Sequence, residues 1–369
     1  MAFRLPLFRQ PDFSQPPFTK APLVKFTPVE KAGVAPENYH ATSIFPEYLH
    51  LQKGKWVLVP QSRMDCAVVR EGDDTLVVRE FRLLQKGDQV ACGREENAEQ
   101  GIYVHTEAFE TTGESSEIFA FRTRVTRESP FSIDYDELYD LMDYERRHGF
   151  IVWVLGPAVV FDADARGAMA DLIRRGYVHA LLAGNALAAH DLEAALFSTA
   201  LGQEIYSKKT VHLGHYHHLD AINKIRGLGS IQKAVDNGLI KDGVVHAALA
   251  QGVPMALAGS IRDDGPLPEV IGNVYQAQDA MRNLVRKATT VIALATQLHS
   301  IATGNMVPTY QIGDDGQVRP VYFYIVDMSE FAASKLANRG SLAARTILTN
   351  VQDFVVTAAR GLSSRYGDG

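Results

Sequence analysis

The sequence predicts an α/β protein, with a parallel sheet covered on both faces by helices and preceded by a small β-rich domain. Three observations predict it. From about Pro130 onward, apolar runs of strand length alternate with helical patterns, at the spacing of strands joined by crossover helices. Before that point the apolar runs are short and broken by turn residues, as in antiparallel hairpins. Nearly every late run also ends in glycine or a polar side chain, where a purely structural sheet would end in more varied loops.

A chain of 369 residues with 46% hydrophobic and 22% charged content predicts two globular domains and an ample core. The divisions read as an extended proline-rich arm over 1–36, a β-rich substrate domain over 37–128 and a nucleotide domain over 129–364. A net charge of −6 and a pI near 6.1 offer no basic field, which argues against nucleic acid or an anionic membrane as partner. Two cysteines are too few for a disulfide framework, and the N-terminal segment MAFRLPLFRQPDFSQPPF lacks the apolar stretch of a signal peptide. A cytoplasmic setting is expected. The arm, with its prolines and aromatics, lies on its own domain or a neighbouring subunit, or is a disordered leader.

In the β-rich part, KWVLVP (55–60), CAVVR (66–70) and TLVVREF (75–81) read as strands separated by Gly54, the 71–74 turn and Gly87. Asp65 and Cys66 sit at the mouth of the second of these, where a thiol beside a carboxylate is either a nucleophile or a buried structural cysteine. Ahead of them, Tyr39, His40, Thr42 and Ser43 form a polar cluster. A small domain beside a nucleotide domain commonly supplies one wall of the substrate cleft.

The later segment opens with a polar helix over 134–148, followed by the buried strand FIVWVL (150–155) and an amphipathic helix over 163–175. Further strands are expected at 178–183, 253–258, 290–295 and 321–326. The stretch VHALLAGNALAAHDLE (178–193) is the centre of the reading: an apolar strand, a break at Gly184 and Asn185, then small residues from Ala186 leading into a helix. A helix N-terminus offers unpaired N–H groups and the positive end of a dipole, and side chains without bulk let a diphosphate approach. It is not the G-x-G-x-x-G fingerprint.

In parallel sheets ligands lie at the carboxyl ends of the strands, so the residues after each strand are pocket candidates. They are Gly156 and Pro157, Gly184 and Asn185, the loop GSIRDDGP (259–266), Thr296 to His299, and Asp327. An acid at the tip of VYFYIVD can accept hydrogen bonds from both ribose hydroxyls of an adenosine and would repel a 2′-phosphate, favouring NAD over NADP; a helix N-cap is the plainer role. Asp327 lies far beyond the ~20-residue spacing of the ordinary dinucleotide fingerprint, so a non-standard strand order is expected. Asp263 and Asp264, beside Arg262 in a loop stiffened by Gly265 and two prolines, are candidates for ribose or a substrate ammonium. In LGHYHHLDAINKIR, His217 and His218 are candidate acid or base groups, and Arg226 a candidate for a substrate carboxylate. No metal is expected there, since nothing nearby in sequence completes a coordination shell.

The segments GPAVVF, LLAGNALAAHDLEAAL, HYHHLDAINKIR, GSIQKAVDNG, LAGSIRDDGPLPEVI, AQDAMR, LHSIATGN and NRGS, in this order, closely resemble the family named for a region once likened to lysine-oxoglutarate reductase/saccharopine dehydrogenase. That family includes the archaeal NAD-dependent ornithine cyclodeaminases and the C-terminal part of the cyanobacterial arginine dihydrolase/ornithine cyclodeaminases. The resemblance runs from about Ala35, through APENYHATS and MDCAVV, to near Leu362. It implies a Rossmann-like NAD domain similar to that of deoxyhypusine synthase, and the redox-neutral conversion of L-ornithine to L-proline and ammonia.

Carried over position by position, the resemblance implies NAD contacts at Asn185, Ala186, Asp264, Thr296, Gln297, Leu298, His299 and Asp327, with Thr349 and Asn350 nearby. Gly184, Asp263 and Met328 flank these positions and are cofactor-binding candidates with them. Asp65, Cys66, His217 and His218 are the catalytic candidates, and Arg226 and Arg262 the substrate-binding ones. The chain departs from the family at Met328 and Ser329, which stand where isoleucine and asparagine are usual, at Asn350, where many members have aspartate, and in an apparent insertion over 310–320. The expected partner is a small diamino acid, and the expected assembly a homo-oligomer, dimer or tetramer. A net NAD-dependent amino-acid or opine dehydrogenase and a non-catalytic NAD-binding module are the rival readings.

Overall fold

The computed structural model describes residues 3–110, 131–263, 265–328 and 342–367, with the side chains of 131–134 excepted. The expected boundary at 128/129 lies outside the described residues.

The N-terminal part carries seven strands: β1 (Lys25–Pro28), β2 (Glu47–Gln52), β3 (Lys55–Leu58), β4 (Ala67–Arg70), β5 (Leu76–Arg79), β6 (Gln89–Cys92) and β7 (Ile102–Val104). They pair antiparallel in two sheets, β1-β6-β4-β5 and β3-β2-β7. Leu49, Leu51 and Ile102 from one sheet and Val68, Leu76, Val78 and Ala91 from the other share a single apolar core, so the sheets stabilise each other. The arm lies on the β-rich part and, at its first described residue, on the larger part as well. Arg9 N–H donates to the Ala108 carbonyl at 2.7 Å, Phe13 stacks on Trp56 with centroids 5.3 Å apart, and Phe3 reaches Tyr144 and Tyr322 at 5.5 and 5.8 Å.

The larger part follows as α1 (Phe131–His148), β8 (Ile151–Leu155), α2 (Ala163–Arg174), β9 (Ala180–Gly184), α3 (Asn185–Phe197), the short hairpin β10 (Thr199–Ala200) and β11 (Gln203–Glu204), α4 (His215–Leu228), α5 (Ile231–Asp236), α6 (Val244–Ala250), β12 (Met255–Ala258), α7 (Val274–Val285), β13 (Thr290–Leu294), α8 (Gln297–Met306), the hairpin β14 (Tyr310–Ile312) and β15 (Val318–Pro320), β16 (Tyr322–Asp327), β17 (Ala343–Leu348) and α9 (Val351–Tyr366). Six strands form one sheet in the order β12-β9-β8-β13-β16-β17, all parallel. β8 and β13 are buried throughout, which is why their sequences are apolar without alternation. Helices α1, α2, α3, α6 and α9 cover one face and α7 and α8 the other, with a separate core on each side.

Counted from β8, this order is 3-2-1-4-5-6, the standard order of dinucleotide-binding sheets, and corrects the expectation of a different one. The expectation assumed that the ribose acid must follow the second strand. Here the second strand, β9, ends in Gly184, and Asp327 ends the fifth.

The 310–320 segment has a structural role. Tyr310 is fully buried and its hydroxyl donates to the Val59 carbonyl, while the Thr309 N–H donates to the Ser62 carbonyl at 2.9 Å. On the hairpin's second strand, opposite Gln311, Arg319 pairs with the fully buried Glu145 of α1. The β-rich part is thereby fixed at the N-terminal ends of β13 and β16. An ion-pair cluster extends the junction: Glu80 with Arg63 at 3.1 Å and with Arg282, and Arg82 with Asp279 at 2.7 Å.

Trp56 lies in β3 and Trp153 in β8, so single-tryptophan variants report the two parts separately. Tyr310→Ala should cost about 3–5 kcal/mol and separate the two fluorescence transitions on urea denaturation, whereas the parent should show them coincident.

Candidate active site

The parallel register aligns the strand tips at Leu155, Gly184, Ala258, Leu294 and Asp327. β8 and β13 are neighbours whose connections leave in opposite directions along the sheet, and this switch point is where a crevice opens. The backbones close tightly there. A Cβ on Gly156 would run into the Ala295 carbonyl oxygen, and Ala295 itself turns with a φ of +47°.

The helices after the strands differ at their N-termini. Those of α2, α7 and α9 are capped by Asp162, Asn273 and Asn350, each accepting from backbone N–H groups of the first turn. α3 and α8 start at Gly184 and Thr296 with no side-chain cap. These two begin at the tips of β9 and β13, on either side of β8. Their first N–H groups are thus open to an anion, the requirement of a bound diphosphate.

The sequence candidates fall into separate groups. Gly184, Asn185, Ala186, Thr296, Gln297, Leu298 and His299 meet at the crevice: the His299 ring lies against Gly184, where a Cβ would be 3.2 Å from Cε1. Burial lowers the His299 pKa below the usual imidazole range, so the ring is neutral at pH 7. Asp327 ends β16 next to them with Met328 just beyond it, and the Thr349 N–H donates to the Asp327 carbonyl at 3.3 Å. Asn350 is occupied in capping α9 through the Gln352 N–H at 2.8 Å.

The Asn185 side chain is turned partly to structure, accepting from the Leu267 N–H at 3.0 Å and so tethering the 259–268 loop. Within that loop the Asp263 carboxylate accepts from the Ser260 N–H at 2.8 Å, and Arg262 is exposed. Arg226 donates to the Pro266 carbonyl at 3.5 Å. Asp264, Ser329 and the NRGS motif (338–341) lie outside the described residues.

Asp65 and Cys66 are not brought to the crevice. Cys66 is buried in the β-rich core, and burial pushes its thiol up to about 11, which leaves it un-ionised at neutral pH; this favours the structural cysteine of the two readings. Asp65 is exposed, at a φ of +62°. The charged groups around Cys66 include Arg282, in the last turn of α7, which runs back toward the start of β13. The expected cleft wall therefore faces the opposite end of the sheet, because the 310–320 hairpin holds it there. The polar cluster ahead of Cys66 is internal as well. His40 pairs with the buried Glu47 at 2.9 Å, Ser43 binds the same carboxylate at 2.7 Å, and Thr42 is buried.

His217 and His218 begin α4, which packs on α3. His217 Nδ1 is 2.9 Å from the Thr199 hydroxyl, and that hydroxyl donates to Glu193 at 3.0 Å. His218 stacks on His190, whose Nδ1 is 2.9 Å from the other Glu193 oxygen. The sequence reading excluded a coordinating carboxylate here, yet His190, Glu193 and His218 place one ligand atom each within 4.8 Å of one another. His190, Glu193 and Thr199 went unnoticed as functional groups. The signal available was the i, i+3 spacing of HDLE inside the central stretch.

A parallel sheet in this order, with two uncapped helices at its switch point and an acid on the neighbouring strand tip, defines a dinucleotide-binding α/β protein. Residues 137–357 match the model described as "Arginine dihydrolase ArgZ-like, C-terminal, Rossmann fold", and residues 49–131 match the corresponding "first region". The ornithine cyclodeaminase of Methanocaldococcus jannaschii is 39% identical over 340 residues, covering 90% of this chain and 76% of the relative. A crystal structure of a conserved putative LOR/SDH protein from Methanococcus maripaludis is 33% identical with a TM-score of 0.82, covering 93% of this chain and 99% of that one. A ternary complex of AgrE with ornithine and NAD+ is 29% identical with a TM-score of 0.55, covering 94% of this chain and 47% of that one. This chain belongs to the ArgZ-like C-terminal family, the LOR/SDH-region family.

The two glycines at the crevice should respond differently to alanine. Gly156→Ala meets backbone and should cost about 1–3 kcal/mol with at least ~10-fold weaker NAD binding. Gly184→Ala meets the edge of the His299 ring and, at an ordinary contact distance of 3.7 Å, the Ala258 carbonyl oxygen, and should stay within about 1 kcal/mol. Thermal melts and titration calorimetry with NAD measure both.

Proposed function

We propose that this chain is an NAD-dependent ornithine cyclodeaminase, converting L-ornithine to L-proline and ammonia. The observation that carries the reading is the match over nine-tenths of the chain to archaeal ornithine cyclodeaminases, with the uncapped α3 and α8 N-termini at the position a dinucleotide requires. When bound, NAD supplies a temporary acceptor for the hydride on the substrate α-carbon.

The residues of the chain then have distinct tasks. The first N–H groups of α3, from Asn185 and Ala186, and of α8, from Gln297 and Leu298, would hold the diphosphate. Asp327, with Met328 and Thr349 beside it, would accept from the adenosine ribose hydroxyls. His299, neutral and mostly buried, lines the crevice without adding charge. Arg226, bonded to the Pro266 carbonyl, and Arg262, exposed on the loop that Asn185 tethers, are the groups offered to the substrate carboxylate, with Asp263 beside Arg262 offered to an ammonium. The proton acceptor comes from the histidines at the start of α4. Supply of proline in the cytoplasm by a homo-oligomer belongs to the same proposal. Among the described residues, no helix is long and apolar enough to cross a membrane.

Purified protein given ornithine and a trace of NAD should form proline and ammonia in equal amounts, with no lasting absorbance of reduced cofactor. NADH accumulating one for one with product would instead mark a net dehydrogenase. No turnover of any diamino acid would leave an NAD-binding module.

Asp327→Ala removes an ionic hydrogen-bond acceptor of about 1.5–3 kcal/mol, so the Kd for NAD should rise by about 10–100-fold. The Kd for NADP should change less, because the same substitution removes a repulsion. Calorimetric titrations of both cofactors decide this.

A further inference from the structure

Ornithine at neutral pH carries two ammonium groups and one carboxylate, and proline plus ammonium carries the same charge and the same hydrogens. The reaction therefore consumes no proton. Yet the side-chain amine must be unprotonated to attack, and the departing nitrogen must be protonated to leave. A proton has to be lent and returned inside the site.

We propose that His217 takes and returns this proton, and that Glu193 and Thr199 are positioning residues that hold its ring in the required tautomer. The inference rests on the ornithine reading above and adds the proton path to it.

The hydrogen-bond directions follow from a count of donors. Glu193 is fully buried, and both its oxygens are engaged: Oε1 accepts from the Thr199 hydroxyl at 3.0 Å and the Gly202 N–H at 3.3 Å, and Oε2 from Nδ1 of His190 at 2.9 Å. Burial opposes its charge, but these bonds outweigh burial and hold its pKa below the usual carboxylate range. An ionised carboxylate only accepts, so the one hydroxyl hydrogen of Thr199 points at Glu193. The Thr199 oxygen can then only accept from Nδ1 of His217, 2.9 Å away. Each link has a single direction. His217 carries its hydrogen on Nδ1 and, when neutral, a lone pair on Nε2.

That ring is half-buried and stacked on Phe197 at 4.6 Å, so its orientation is set by packing as well. A proton gained at Nε2 is stabilised by the buried anion two hydrogen bonds away, an arrangement of acceptor, relay and carboxylate familiar from activated histidines. The network runs along α3 from the crevice side outward, with His190 nearer the crevice and His217 packed on Phe197 at the last residue of the helix. His190 is five residues along α3 from Asn185, roughly 7.5 Å of helix, and Phe161, from the segment after β8, lies edge-on to its ring at 5.2 Å.

In the step assigned, an N–H bond of the δ-ammonium breaks and its proton moves to Nε2 of His217. The freed nitrogen lone pair forms the ring bond at the α-iminium carbon, whose C=N π pair moves onto the former α-nitrogen. The proton then passes from Nε2 to the former α-nitrogen and Nε2 takes the second hydrogen of the ring nitrogen; ammonia departs with the electron pair of its C–N bond while the pair freed on the ring nitrogen forms the new C=N bond, and Nε2 gives its proton back to the ring nitrogen once the hydride has returned. The His190, Glu193 and His218 cluster could instead take a metal ion, but the donors already filling both Glu193 oxygens would have to be displaced, which favours the proton path.

The test combines two-bond 15N–1H correlation spectra of histidine-labelled protein with steady-state kinetics on Thr199→Val, Thr199→Ser and His217→Gln. The wild type and T199S should show His217 protonated on Nδ1, and T199V should lose this signature. T199V and H217Q should lower kcat about 100-fold, with NAD affinity within about twofold. T199S should recover to within about fivefold of the wild type. A folded, NAD-binding T199V turning over within about threefold of wild type would overturn the proton path alone. So would a wild-type His217 protonated on Nε2 only, or a stoichiometric metal whose removal by chelator abolishes activity. A wild type that makes no proline would overturn the ornithine reading and, with it, the role of His217.

Discussion

The contact on which the crevice depends is the approach of two backbones, Gly156 after β8 and Ala295 after β13. With no side chain between them, the central strands can run side by side to their last residues and then send their connections to opposite faces. The uncapped starts of α3 and α8 come to the same place because β9 and β13 flank β8 in register. Asp327 stands beside them because β16 pairs with β13 through Val326, one residue short of the tip. A side chain at position 156 would separate β13 from β8 and disperse all three.

The late sheet was legible because strands buried on both faces are written as unbroken apolar runs. β17 was not, since Arg345 interrupts AARTIL; the charge is satisfied by Glu137 at 2.6 Å and by the Tyr324 ring beneath it. β2 was hidden in the same way by Glu47 and His50, polar residues held inside by local partners. Asp327 could be read from its place at a strand end. Glu193 and His190 could not be assigned a chemistry, because their partners Thr199, His217 and His218 arrive only when α4 folds back on α3.

The placement of the β-rich part was the least accessible to sequence. Its strands are apparent, but where it docks is decided by Thr309, Tyr310 and Arg319, residues of a hairpin that reads merely as extra length. That a small domain commonly walls a cleft says nothing of which end of the sheet it meets, and these three residues bring it to the N-terminal ends of β13 and β16. Glu80, shared by Arg63 and Arg282, shows how the junction manages charge: three arginines converge on it, and Asp279 from α7 supplies the second anion.

Phe3 touches Tyr144 and Tyr322 at the base of the central sheet, while residues 8 to 18 of the same arm are fastened to the β-rich part. The arm is in effect a tethered ligand that bridges both halves. Its high local concentration lets a single aromatic ring hold a junction that a free peptide of the same sequence would occupy only weakly.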